Sequence, residues 1–262
     1  MKRLLKLRRT AVTAALVIAM SALPAAAYEK VPVSLNGAET ALDARLIDST
    51  TYVPLEESVS LLSEATGVEI AVDAVPEEMC VTARGRYIGG SENLELDGRV
   101  FVPVRSVAKV YGSEVLWDEQ TRSVSLTAHE NDGIAPGDEF YIADEVEWLS
   151  RIIYAEAGVE PFAGKILVGN VVLNRARSGE FPDTIYDVIF DRKFGVQFTP
   201  TVNGMIWRTP SADCVAAAKI VLDGYSLSEE AIYFLDPDIA TNFWIPNNRP
   251  YLFRVGGHEF YS

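Results

Sequence analysis

Hydrophobic positions follow two different periods along the chain. In the first half, short alternating apolar runs flank turn dipeptides such as Asp97-Gly98, which is the pattern of β-hairpins. In the second half, Val146, Leu149 and Ile153 recur at spacings of three and four, which predicts an amphipathic helix. The chain is therefore predicted to be α+β, with a β-rich N-terminal domain and a mostly helical C-terminal domain that ends in a β-hairpin.

The first half also contains an internal repeat. Residues 48–55 align with residues 97–104 at an offset of 49, and residues 81–83 align with residues 126–128 at an offset of 45. A period of this size indicates two copies of one supersecondary unit, here interpreted as hairpin, helix and hairpin. Neither copy shows a recognisable catalytic constellation.

The N terminus has the layout of a secretory signal peptide. Basic residues between Lys2 and Arg9 precede an apolar stretch over 11–23, and Pro24 is followed by three alanines. This order predicts export and removal of the leader after Ala27. An uncleaved membrane anchor is the alternative, but the apolar stretch is short for a bilayer span.

A second boundary is predicted where the hydrophobic periodicity stops. The segment from Asn131 to Glu139 is polar and contains glycine and proline, which is typical of a linker. The predicted segments are a signal peptide (1–27), a repeat domain (28–130), a linker (131–139) and a catalytic domain (140–262).

Charge and composition exclude several classes of function. The net charge of −14 argues against binding nucleic acid, because such proteins neutralise phosphates with basic residues. The two histidines and two cysteines show no metal-ligand spacing, so neither a metal nor a cofactor is predicted. Cys80 and Cys214 are assigned to different predicted domains, and a disulfide between them is possible but not favoured.

Glu156 occupies the next position on the apolar stripe of the predicted helix, three residues after Ile153. A carboxyl group on an apolar face resists ionisation, because burial disfavours its charged form. Such a group can protonate a glycosidic oxygen near neutral pH. The pattern alone leaves two interpretations open: a catalytic acid, or an exposed side chain at a frayed helix end.

Both halves resemble known families. The segment Asp-Gly-Arg-Val-Phe-Val-Pro-Val-Arg at 97–105 resembles the copper amine oxidase N-terminal-like stalk domain, although no copper ligands are visible. The second half resembles the SleB/CwlJ-type cell-wall hydrolases, the family of spore cortex-lytic enzymes. The matching segments are 153–157 (Ile-Tyr-Ala-Glu-Ala), 171–175 (Val-Val-Leu-Asn-Arg), 181–185 (Phe-Pro-Asp-Thr-Ile), 197–199 (Gln-Phe-Thr), 233–234 (Tyr-Phe), 240–244 (Ala-Thr-Asn-Phe-Trp) and 257–261 (Gly-His-Glu-Phe-Tyr).

The second resemblance implies a lysozyme-like fold that cleaves peptidoglycan, with the catalytic glutamate at Glu156. Gly158-Val159-Glu160 departs from the Arg-Gly-Glu that relatives often carry, which puts the sugar contacts of this loop in doubt. Residues of the matching motifs are expected to bind the substrate, and they are Asn174, Gln197, Phe198, Tyr233, Asn242, Trp244 and His258.

The predicted function is cleavage of glycan strands between muramic acid and N-acetylglucosamine by a secreted or cell-wall enzyme. A lytic transglycosylase is preferred, because it needs one acid/base residue and no second carboxylate has a recognisable spacing. A water-dependent muramidase or glucosaminidase, or a non-catalytic wall-binding protein, remain the alternatives. The predicted partner is peptidoglycan, with membrane contact only through the transient signal peptide, and protein partners are left open.

Overall fold

The computed structural model describes residues 28–75 and 79–262. The predicted signal peptide lies outside the described residues. None of the described helices is long and apolar enough to cross a membrane. The N-terminal elements are β1 (Glu29–Val31), β2 (Val33–Leu35), β3 (Ala38–Glu39), β4 (Ala44–Ile47), β5 (Thr50–Pro54), α1 (Leu55–Thr66), β6 (Val72–Ala74), β7 (Cys80–Ala83), β8 (Arg86–Gly89), β9 (Leu94–Leu96), β10 (Arg99–Pro103), α2 (Val104–Val110), β11 (Glu114–Asp118) and β12 (Ser123–Thr127).

The two predicted repeat copies meet along equivalent strands. One sheet has the order β1-β4-β5-β10-β9, and in its centre β5 pairs antiparallel with β10 so that Val53 lies opposite Val102. These two valines are equivalent under the offset of 49, so the copies are related by a local two-fold axis. A second sheet, β11-β12-β2-β3, and a third, β6-β7-β8, complete the domain around an apolar core. The hairpin and helix predictions for this half are confirmed.

The turn chemistry of the second copy agrees with its sequence. Asp97 and Gly98 have positive φ values of 52° and 72°, as a tight primed turn between β9 and β10 requires. Pro103 precedes α2, where its missing N–H leaves no helical hydrogen bond unmade.

The C-terminal half is mostly helical and ends in a small antiparallel sheet of order β13-β15-β14. The predicted helices and terminal hairpin are confirmed, so the α+β prediction is correct. Residues 194–207 contain only short helical turns. The elements are α3 (Gly137–Phe140), α4 (Ala143–Ala157), α5 (Phe162–Ser178), α6 (Ile185–Phe190), α7 (Pro200–Asn203), a 3₁₀ turn (Met205–Trp207), α8 (Ala212–Leu222), β13 (Tyr233–Leu235), α9 (Trp244–Asn248), β14 (Tyr251–Val255) and β15 (His258–Tyr261).

Helices α4, α5 and α8 form the core that supports the end of α4. Gly169 on α5 lies against Ile153 of α4 and Val221 of α8, and a Cβ at this position would approach a methyl group of each to 3.1 Å. The glycine therefore lets the three helices pack closely. This packing fixes the position of the last turn of α4, which carries Glu156.

The two halves share a buried interface. Asp223, whose side chain is 1% exposed, accepts hydrogen bonds from both Nε (2.8 Å) and Nη2 of Arg86 on β8. Lys109 of α2 places its Nζ 2.6 Å from the other carboxylate oxygen. Cys80 and Cys214, which the sequence assigns to different domains, pack in the same apolar cluster.

The predicted linker is also packed against the N-terminal half. Ile134 is buried in the N-terminal core, and the Gly137 N–H donates to the Arg84 carbonyl oxygen at 2.7 Å. The predicted domain boundary stays a prediction, but the segment that carries it is held in place along its length.

Candidate active site

Glu156 lies in the last turn of α4 and is half-buried. Burial raises its pKa to about 7, and the positive charge of Arg175 opposes that shift. Within the described residues, no donor forms a hydrogen bond with its carboxyl group. The group is therefore partly protonated at neutral pH.

Arg175 on α5 is the positive charge that acts on the Glu156 carboxyl group and lowers its pKa. It is 4% exposed, and its Nε donates to the Ile232 carbonyl oxygen at 2.7 Å. Burial lowers its pKa to about 10, and the nearby carboxylates Asp191 and Glu156 oppose this, so the guanidinium stays charged at neutral pH.

Three aromatic rings surround the Arg175 guanidinium. Its Cζ lies 4.8 Å from the ring centre of Phe181, 5.0 Å from that of Phe198 and 5.3 Å from that of Tyr233. Such cation–π contacts are strongest when the cation is desolvated. The rings therefore hold a permanent positive charge beside a carboxyl group whose own charge is disfavoured.

Gln197 and Phe198 reach this site in different ways. The Gln197 Oε1 accepts from Nη1 of Arg175 at 3.5 Å, a long contact at the edge of the cluster. Phe198 is 2% exposed and belongs to the apolar core, and its contact with substrate stays a prediction. An aromatic ring suits a core as well as a sugar, and here it packs beneath Arg175.

An aromatic wall extends outward from Arg175. Tyr233 lies 6.1 Å from Trp244 between ring centres, and Trp244 is 50% exposed. Arg249 donates from Nη2 to the Tyr233 hydroxyl at 2.7 Å and lies 4.5 Å over the same ring. These contacts give Tyr233 and Trp244 fixed orientations, so both are suited to stacking against the apolar face of a sugar.

Asn174 and Asn242, two of the other predicted substrate residues, have structural contacts. Asn174 uses its amide to donate to the carbonyl oxygens of Ser228 and Ala231, at 2.8 and 2.9 Å. Asn242 is exposed and accepts from the Trp244 N–H at 2.9 Å, which orients the start of α9. Asn174 therefore secures a loop, whereas Asn242 positions Trp244.

His258 is also expected to contact substrate, and this contact stays a prediction. Its side chain is buried at 7% exposure, with its ring 5.0 Å from that of Phe234. Burial lowers its pKa, against the opposing effect of Glu160 and Asp236. The ring is part of the sheet that closes the domain.

Several aspartates are candidates for a second catalytic carboxylate, and the structure separates them. Asp187 accepts from the Thr184 hydroxyl at 2.7 Å, and Asp238 pairs with Arg254 at 3.1 Å. Asp183 is exposed, and Asp236 accepts from the Asp238 N–H at 2.9 Å. Asp191 differs from these four because its charge acts on Arg175.

Arg175 and Arg249 are the two residues of this cluster that sequence reasoning did not single out. Arg175 was visible only as the last residue of a matching motif. A basic residue near a helix C terminus is common without any catalytic role. Among residues 28–75 and 79–262, no group of three or more His, Cys, Asp or Glu is placed to hold a metal ion.

Comparison with known proteins finds two family matches along the chain. Residues 159–261 match the Cell Wall Hydrolase family, and residues 92–150 match the Copper amine oxidase N-terminal domain. The first match begins just after Glu156, and the second extends across the predicted linker. The chain thus carries a cell wall hydrolase domain, preceded by a copper amine oxidase N-terminal domain.

Individual proteins of similar sequence are spore cortex-lytic enzymes. A spore cortex-lytic enzyme of Oceanobacillus iheyensis is 35% identical over 120 residues, which are 46% of this chain and 42% of the relative. That of Bacillus subtilis is 35% identical over 117 residues, which are 45% of this chain and 37% of the relative. The chain therefore spans less than half the length of these curated relatives.

Two solved structures are also similar to this chain. The catalytic domain of the germination-specific lytic transglycosylase SleB from Bacillus anthracis is 31% identical, with a TM-score of 0.43, over 49% of this chain and all of that structure. The catalytic domain of Bacillus cereus SleB is 32% identical, with a TM-score of 0.42, over 47% of this chain and 92% of that structure.

Proposed function

We propose that this protein cleaves the glycan strands of peptidoglycan between muramic acid and N-acetylglucosamine, as a lytic transglycosylase with Glu156 as its acid and base. The observation that carries the proposal is the Glu156 carboxyl group, whose pKa burial raises to about 7. Similar proteins include spore cortex-lytic enzymes, and one similar solved structure is the catalytic domain of a germination-specific lytic transglycosylase. Secretion to the cell wall belongs to the same proposal.

The reaction needs one residue that gives a proton and then takes one. Protonated Glu156 donates to the glycosidic oxygen while the bond from that oxygen to C1 of muramic acid breaks. The C6 hydroxyl of the same sugar then forms a bond to C1 and loses its proton to the Glu156 carboxylate. The products are a 1,6-anhydro muramyl end and a free N-acetylglucosamine hydroxyl, and Glu156 is again protonated.

Arg175 and the aromatic wall have supporting roles in this proposal. The Arg175 charge keeps the pKa of Glu156 from rising further, so the same group can serve as acid and as base. Tyr233, which contacts Arg175, and the exposed Trp244 offer faces for sugar rings. Arg249 orients both rings.

Hydrolysis is a second candidate because of Asp191. This carboxylate influences Arg175, which in turn influences Glu156, so it is the described aspartate with the best claim to activate water. In a hydrolase, Asp191→Asn would reduce the rate by about 10²–10⁴-fold, as loss of a general base does. In a transglycosylase it would change the rate by less than about tenfold.

Product analysis tests the proposal. The protein is incubated with purified sacculi in water enriched in ¹⁸O, and the soluble fragments are analysed by mass spectrometry. We expect 1,6-anhydro muramyl ends without label. Reducing ends that carry one ¹⁸O atom would assign hydrolysis instead, and the absence of any fragments would favour a wall-binding protein.

A further inference from the structure

A cavity of about 630 Å³ lies in the N-terminal half, remote in sequence from the proposed active site. It is lined by both copies of the repeat, through residues 49–51 of the first and residues 103–106 of the second. Tyr225, which belongs to the C-terminal half, also lines it. Its volume is within the range of about 300–1,000 Å³ that small-molecule sites occupy.

The lining combines hydroxyl groups with one indole. Thr50 and Ser91 place their hydroxyl oxygens 3.3 Å apart, and both side chains are half-buried. Trp117 stands on β11, the edge strand of its sheet, and its Nε1 donates to Glu119 Oε2 at 2.6 Å. An aromatic face beside several hydroxyl groups suits a sugar, which has both apolar faces and hydroxyl edges.

A positive charge at the cavity favours an acidic sugar over a neutral one. Arg105 is exposed and donates from Nη1 to the Val115 carbonyl oxygen at 3.2 Å. Within the described part of the chain it has no ion-pair partner, although the chain has 37 acidic residues against 23 basic ones. Arg122 of the same lining, by contrast, is engaged by Glu29 through two hydrogen bonds of 2.6 Å. Arg105 therefore keeps free donors in the fork geometry that matches a carboxylate.

We propose that this cavity binds a muramyl unit of peptidoglycan, an N-acetylated amino sugar with an acidic lactyl or lactyl-peptide arm. The sugar ring stacks on Trp117, its hydroxyl groups meet Thr50 and Ser91, and the acidic arm pairs with Arg105. This inference rests on the proposed function, because it assigns the same polymer to a second site.

The buried interface gives such a site a fixed relation to the hydrolase half. Tyr225 lines the cavity two residues after Asp223, which binds Arg86 and Lys109 of the N-terminal half. A strand held in the cavity is therefore held at a constant offset from Glu156. The N-terminal half would then orient the substrate as well as retain it.

Binding is tested by NMR on the full chain with Glu156→Gln, which prevents turnover. The chain has four tryptophans, so the indole N–H signal of Trp117 can be assigned by its loss in Trp117→Phe. N-acetylmuramic acid and N-acetylglucosamine are titrated separately, because they differ only in the lactyl arm. We expect the Trp117 signal to shift and saturate, with an affinity about tenfold higher for N-acetylmuramic acid.

Arg105→Gln should reduce the affinity for N-acetylmuramic acid about tenfold and leave that for N-acetylglucosamine unchanged. The matched control is Arg177→Gln, which removes an exposed arginine from α5 and should change neither. A Trp117 signal that does not move, or an Arg105→Gln variant that keeps the preference for the acidic sugar, overturns the inference. Product analysis decides the proposed function separately, and a shift confined to Trp244 would locate the sugar in the hydrolase cleft alone.

Discussion

Asp223 is buried and Glu156 is half-buried, and a buried arginine acts on each of them. The two carboxyl groups differ in whether the arginine forms a hydrogen bond with them. Asp223 is in direct contact with its cations, through Arg86 Nε at 2.8 Å and Lys109 Nζ at 2.6 Å. Glu156 accepts no hydrogen bond from the described residues, and Arg175 acts on it only through its field.

The difference explains why one carboxylate stabilises the fold and the other is suited to catalysis. A carboxylate that accepts charged hydrogen bonds is held in one geometry. A desolvated carboxyl without such bonds keeps its proton to a higher pH. Arginine beside a buried acid is therefore insufficient to identify an active site, and the contact distance decides its role.

The largest effect is expected for loss of the Glu156 proton donor. Glu156→Gln keeps the size of the side chain, and loss of a general acid typically costs about 10²–10⁴-fold in rate. The matched control is Glu147→Gln, a half-exposed carboxylate on the same helix that pairs with Arg151. Release of dye from labelled sacculi measures both variants. Retention of more than about a tenth of the activity in Glu156→Gln would remove it from the mechanism.

Asp223→Asn should instead reduce stability. Breaking a buried ion pair leaves Arg86 without a counter-charge, which costs about 3–5 kcal/mol in the free energy of unfolding. Lys109→Met, which removes a cation that is 43% exposed, should cost no more than about 1 kcal/mol. Urea denaturation measures both variants.

The double variant Arg86→Met/Asp223→Leu sharpens this prediction. Replacement of both charges by apolar groups should recover most of the stability that Asp223→Asn loses, since no uncompensated charge remains. If the single variant unfolds at the same urea concentration as the parent, the interface does not depend on this pair.

A smaller effect is expected on the pH dependence of stability. Because the folded-state pKa of Glu156 is raised from 4.5 to about 7, its stabilising contribution is full below pH 4.5 and is lost as the pH rises through about 7. Glu156→Gln should match the parent at pH 4 and exceed it above pH 7 by up to about 3 kcal/mol. Chemical denaturation at the two pH values measures this, and an equal difference at both would contradict it.

The smallest effect concerns the field of Arg175. Arg175→Met removes the charge that opposes the rise in the Glu156 pKa, so the pH above which kcat/KM falls should move upward. Phe181→Leu removes a ring beside Arg175 but leaves the charge of Arg175. The pH above which kcat/KM falls should therefore be the same as in the parent. If this pH shifts equally in both variants, the shift is caused by altered packing and not by loss of the Arg175 charge.

The local features of the fold could be predicted from the sequence because they depend on neighbouring residues. The Asp97-Gly98 turn, Pro103 before α2 and the stripe that ends at Glu156 all have a local physical cause. The interface around Asp223 could not, since Arg86 lies 137 residues away in sequence and no period connects the two.

The site could be predicted only in part for a related reason. Sequence identifies residue types that suit a sugar, but burial decides whether they can reach one. Trp244 is 50% exposed, whereas Phe198 and His258 are buried, and the contact of each with substrate stays a prediction. Arg175 was visible only as the end of a matching motif, because its place in the site depends on the rings packed around it.

The most direct test of the account is the pH at which Glu156 ionises. Glutamate side chains are labelled with ¹³C at the carboxyl carbon, and the signal absent from Glu156→Gln is followed from pH 3 to pH 9 in the full chain. The account predicts a titration midpoint near 7. A midpoint near the ordinary glutamate value of about 4.3 would contradict it, because Glu156 would then be ionised at neutral pH and could not act as the acid.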